Sequence, residues 1–85
     1  MTTKKLLENL NKGNYLHRQY KVIAKTQSGD ARSVFIMQSD SNGYPLHILN
    51  YRLDLNYLVN IYSIYATRVY VDELRLFENA VKEVK

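Results

Sequence analysis

The sequence predicts a single α+β domain of order αβββαα: a short N-terminal helix, a three-stranded antiparallel meander, and two C-terminal helices packed on one sheet face. Three observations lead there. Residues 15–54 are rich in Val, Ile, Tyr and Phe and are cut into three runs by the turn residues of QSGDA and SDSNGYP. The flanking stretches 4–12 and 72–85 set their apolar residues at helical spacing. The apolar run YLVNIYSIYATRVYV, residues 57–71, has its polar residues where a helix would align them. A chain of 85 residues has room for one core, burying about 60 to 65% of its unfolded surface, so residues 1–85 are read as one domain.

Each element has a local reason. Thr2 or Thr3 can cap a helix running from Lys4 to about Lys12, with Leu6, Leu7 and Leu10 on one side and Gly13 as its stop. Tyr15 to Gln27 reads as the first strand and ARSVFIMQS as the second, joined by a tight hairpin at the Ser-Gly pair. Asn42-Gly43 can take positive φ and Pro45 cannot donate to a ladder, so SDSNGYP is a turn and LHILNYRLD the third strand. An even first hairpin puts Tyr20, Val22 and Ala24 on one face with Ser33, Phe35 and Met37. Leu49, Tyr51 and Leu53 join that core face if the second loop is odd. The other face then carries Lys21, Lys25, Arg32 and Arg52 around Ile23, Val34, Ile36 and Ile48. An even second loop would instead flip the third strand and mix the two sets.

For residues 57–71, propensity favours a strand and periodicity a helix. A strand there would be apolar on both faces, which suits a sheet covered on both sides and not so small a chain. On a helix, Asn56, Asn60, Ser63 and Thr67 fall on one line, Leu55, Leu58, Val59, Tyr62, Tyr65, Ala66 and Val69 form a core stripe, and Asp54 is the cap. The expectation is therefore a helix. Its far flank, Tyr57, Ile61, Ile64 and Arg68, exceeds what one sheet face can cover and is the candidate partner-binding patch unless the last helix packs on it. That last helix, DELRLFENAVKEVK, has Asp72 as its cap and a stripe of Leu76, Phe77, Ala80 and Val84 flanked by Leu74 and Val81.

Composition narrows the function classes. Cysteine is absent, which removes disulfide and thiolate-metal frameworks and fits a reducing compartment. The N-terminus lacks the apolar run of a signal peptide, and the apolar run at 57–71 is shorter than the about 20 residues of a membrane span, so a cytoplasmic protein is expected. No phosphate loop, nucleophile elbow or metal-spaced His pair is present: His17 and His47 stand apart, and Asp40 to Gly43 lack the closing Glu of a calcium loop. An enzyme, a metal site and a cofactor are accordingly not expected.

The net charge of +4 lies within residues 1–30, where Lys4, Lys5, Lys12, Arg18, Lys21 and Lys25 face Glu8 and Asp30. Lys21, Lys25, Arg32 and Arg52 are the candidate contacts for phosphate or for an acidic protein surface. Against nucleic acid stands the expected burial of Phe35, Tyr20 and Tyr51, since sheet-type single-strand binders stack bases on exposed aromatics. In order of elements the chain is similar to some small phage-encoded inhibitors, including certain anti-CRISPR proteins. That likeness implies an inhibitor or regulator, though not a DNA mimic, because mimics are acidic. The function expected is a non-enzymatic interaction module that binds or occludes a macromolecular partner, with homodimerisation as a further expectation. The competing classes are a nucleic-acid binder and a structural subunit of a larger assembly.

Overall fold

A computed structural model of the chain describes residues 2–63 and 71–84, with residues 71–73 described by their backbone alone. The helix α1, Thr3–Asn9, starts where Thr2 Oγ1 accepts a hydrogen bond from Lys5 N at 3.1 Å, as an N-cap should. Five strands follow: β1 Tyr15–His17, β2 Tyr20–Ser28, β3 Ala31–Ser39, β4 Pro45–Arg52 and β5 Tyr57–Ser63. They pair antiparallel in sequence order, β1-β2-β3-β4-β5. The helix α2, Val71–Glu83, is the last described element, so the order among the described residues is αβββββα. Among the described residues no helix is long and apolar enough to cross a membrane.

Two elements correct the expected order. The first predicted strand is two, broken at Arg18-Gln19, where Arg18 takes φ 46 and Tyr15–His17 folds back on β2. The predicted helix over 55–69 begins instead as β5. Asn56, the expected first member of its polar line, is a left-handed turn residue with φ 61, closing the β4–β5 connection through Asn56 N–H to Arg52 O at 2.8 Å. Tyr51 secures that turn by donating its hydroxyl to Asn56 Oδ1 at 2.8 Å. Thr67 and the remainder of the predicted helix lie outside the described residues. In α2, which begins one residue before the expected cap Asp72, Phe77 and Ala80 are buried, and Val81 and, just past the helix end, Val84 pack beside them. Leu76, expected in that stripe, is 51% exposed, because it sits about 100° around the helix from Phe77.

Bulges decide which residues face the core. Ala24 to Ser28 pair with Phe35 to Ala31 across the two-residue Gly29-Asp30 loop, as an even hairpin requires. Between Val22 and Ala24 the register shifts, so Ile23 is the extra residue of a bulge, and Val22 and Tyr20 lie opposite Ile36 and Gln38. On β4, Leu49 and Tyr51 lie opposite Ile36 and Val34. The buried side is therefore Tyr20, Val22, Val34, Ile36, Leu49, Tyr51 and Leu53, closed over by Leu6 and Leu7 of α1 and Phe77 and Ala80 of α2. Phe35, Met37, Ser33 and Ala24, expected on that side, lie on the other. A polar row also crosses the helix side: His47 Nδ1 donates to Gln38 Oε1 at 2.8 Å and Gln38 Nε2 donates to Tyr20 OH at 3.3 Å. Such a row is tolerable inside because its members satisfy one another.

Candidate interaction face

Both helices cover the same side of the sheet, and no described element lies on the other. The registers arrange that open side in rows. Tyr15, Lys21, Met37, Ile48 and Tyr62 form a row across all five strands. Ala24, Phe35, Asn50 and Asn60 form the next, and Thr26, Ser33, Arg52 and Tyr57 the third. An antiparallel sheet with one wet face normally alternates apolar inward and polar outward. Here β3 reads Val34, Phe35, Ile36, Met37, apolar on both sides, as does a strand buried on both faces. The edges add aromatic surface, with Tyr15 59%, Tyr57 53% and Tyr62 50% exposed.

The expected partner patch is not a continuous line. On β5 the register shifts between the partners of Asn50 and Tyr51, so that Leu58 lies opposite Tyr51 and Ile61 opposite Leu49, both toward the core. Tyr57 lies opposite Arg52 on the open side. Tyr57 and Ile61 thus project from opposite faces, and Ile64 and Arg68 lie outside the described residues.

The four cations expected on one basic face are likewise divided. Lys25 lies opposite Val34 on the helix side, where its Nζ donates to the carbonyls of Glu8 and Leu10 at 3.1 and 3.0 Å, capping the end of α1. Arg32 is on that side too, 3.4 Å from Glu8 Oε2. Together with Gln27 and Leu53 these charges line a cleft of about 270 Å³, where Arg32 and Lys25 are already engaged. On the open side, Arg52 is paired with Asp54 through Nε–Oδ1 at 2.9 Å and Nη2–Oδ2 at 2.6 Å. Lys21 stands over the Tyr15 ring, 5.8 Å from its centroid, and among the described residues has no carboxylate partner.

Arg52, with the Arg32 N–H as a further donor, holds the Asp54 carboxyl well below the usual carboxylate range. A depressed folded value stabilises the fold fully above the unfolded value and loses that contribution as pH falls through the folded one. The native chain is therefore expected to lose urea resistance on acidification below about pH 4, and Asp54→Asn to show a shallower acid slope while being less stable at neutral pH. Urea midpoints across that range check it; parallel slopes would remove Asp54 from the acid response. Burial pushes the Tyr51 phenol up.

The two histidines lie in different places. His17 Nε2 meets Glu83 Oε2 at 2.6 Å and ties β1 to the last turn of α2, whereas His47 is buried in the polar row. Asp40 Oδ1 accepts from the N–H groups of Asn42 and Tyr44, both at 2.9 Å, so its carboxylate organises the turn expected there. Among the described residues no three His, Cys, Asp or Glu side chains gather as metal ligands. At the centre of the open face, the shielded Asn50 Oδ1 has no hydrogen-bond partner, the single such side-chain atom among the described residues.

Sequence reasoning missed this face because it placed Phe35 and Met37 in the core. The available signal was the unbroken apolar run VFIM in a chain whose helices are too few to cover two sheet faces. Comparison with family models, with curated proteins and with solved structures finds no match, which leaves the geometry of the open face as the ground for a functional reading.

Proposed function

We propose that this chain is a non-enzymatic protein-interaction module that lays its open sheet face on an apolar surface of a partner and occludes it. The observation that carries the reading is the half-buried apolar centre of that face, Phe35, Met37 and Ile48, on a sheet whose described helices lie on the other side. Aromatic residues at the rim, Tyr15, Tyr57 and Tyr62, supply the large and rigid contacts that protein interfaces favour. Occlusion follows from shape, since a broad sheet face shields a surface without enclosing a small substrate. The likeness to phage-encoded inhibitors drew on the order αβββαα, which the five-stranded sheet replaces, and is not carried into this reading.

Nucleic acid is the second reading, favoured by the position of Phe35 and the rim tyrosines on the open side, where bases could stack. Charge weighs against it. A phosphate-tracking surface needs several cations, and this face offers Lys21 beside an Arg52 already neutralised by Asp54. The test is capture of partners from the native host by the wild type and by folded Ile48→Glu, alongside binding of a labelled single-stranded oligonucleotide at low salt. The proposal expects protein capture that Ile48→Glu reduces at least about tenfold, equivalent to about 1.4 kcal/mol. Oligonucleotide binding that depends on Lys21 and Phe35 would replace it with the nucleic-acid reading. Protein capture unchanged by Ile48→Glu would refute the face.

A further inference from the structure

We infer that the open sheet face also takes a second copy of this chain, two faces stacking as a symmetric β-sandwich with the helices outermost. This rests on the reading of that face as a docking surface and names one occupant for it. Three features fit that occupant. The first is charge: although the chain carries +4, the described open-face residues sum to about +1, with Lys21 unpaired and Arg52 balanced by Asp54. Two such faces can approach with little repulsion, and neither a phosphate chain nor an acidic surface finds its complement there.

The second is shape. Facing sheets pack about 10 Å apart and interdigitate the side chains between them, a spacing that residues of the size of Phe35, Met37 and Ile48 fill from both sides. Each strand of the centre would then be covered on both faces, which is what the sequence of β3 reads as.

The third is area. Five strands about 4.8 Å apart, with three rows of outward residues about 6.8 Å apart, make a face of about 490 Å², hence about 980 Å² for two copies. That lies below the about 1,200 Å² of stable specific interfaces and in the range of weak, transient ones, so the dimer is weak, with a dissociation constant on the order of micromolar or above. At low concentration the face is free for a different partner, and self-association at high concentration competes with it.

Sedimentation equilibrium and oxidation of Met37 by peroxide, both over a wide concentration range, test this together. The wild-type mass is expected to rise from 10.0 kDa toward twice that value, and Met37 oxidation to slow as the dimer forms. Ile48→Glu, folded by amide spectra, should remain at the monomer mass with concentration-independent oxidation. Leu76→Glu, on the exposed outer side of α2, should dimerise as the wild type does. A wild type that stays monomeric overturns the inference. So does an Ile48→Glu variant that still dimerises, or a Met37 protected equally at every concentration, which would mean that the chain covers its own face. If the wild type is monomeric yet Ile48→Glu abolishes partner capture, self-association fails and the docking reading survives. If the wild type dimerises through this face yet partner capture ignores Ile48→Glu, the docking reading fails and self-association survives.

Discussion

Phe77→Ala is expected to lower the free energy of unfolding by about 3 to 5 kcal/mol. Phe77 is 2% exposed and meets the Tyr20 ring edge-on, with centroids 5.8 Å apart and planes at 67°. It is also the largest side chain by which α2 holds the sheet. A helix of 13 residues is marginal without packing, so losing this anchor releases the helix as well as opening a cavity. Against a total stability of about 5 to 15 kcal/mol the loss is severe. Urea unfolding followed by circular dichroism measures it. Leu76→Ala, one residue away and 51% exposed, should cost no more than about 0.5 kcal/mol. Equal costs for the two would mean that α2 does not dock by the Phe77 stripe.

Truncation of Tyr20 and Val22 together to Ala is the second large effect. The extra residue Ile23 lets Val22 lie opposite Ile36 and Tyr20 opposite Gln38, on the core side. Tyr20 and Val22 are accordingly 6% and 0% exposed, the inward pair by which β2 joins the core. Losing the burial of both costs about 3 to 6 kcal/mol, at about 1.5 to 3 for each side chain. The Tyr20 side chain would also be lost to Phe77 and the Gln38 amide, so the penalty reaches beyond burial. Ile23→Ala keeps the bulge and should cost about 1 kcal/mol. Thermal melts of the double variant and of Ile23→Ala check this; similar melting temperatures would mean that Tyr20 and Val22 do not anchor β2 in the core.

That pair of variants also marks where the sequence was legible. The N-terminal helix with its Thr2 cap, the strands over 31–39 and 45–52 with the turn between them, and the C-terminal helix could all be read from local patterns. Each depends on nearest neighbours, on caps, turn residues and β-branched runs. The β5 strand was misread because a bulge imitates a helix. With one extra residue near Val59, inward Leu58 and Ile61 are three apart instead of two, and outward Tyr57 and Asn60 follow the same interval. Period two is broken, and polar residues at 56, 60 and 63 then fit a helical line by coincidence. The β propensity of Tyr, Val and Ile was the better guide there.

The candidate site shifted for the same reason. Lys21, Lys25, Arg32 and Arg52 look equivalent in a list of charges, yet the Ile23 bulge divides Lys21 from Lys25, and the hairpin register divides Arg32 from Arg52. Lys25 is spent on the carbonyls at the end of α1, and Arg52 on Asp54.

What the sequence determined by itself is the class of the protein: an α+β chain with helices at its ends, an antiparallel sheet between them, and more apolar residues on its strands than one core needs. These follow from local propensity and composition, which each stretch of chain carries alone. Which apolar residues form the core and which form the open face was decided by tertiary structure. Side-chain direction in a strand reverses with every residue, so one bulge at Ile23 and another in β5 reassign whole rows, and only pairing between distant strands places them.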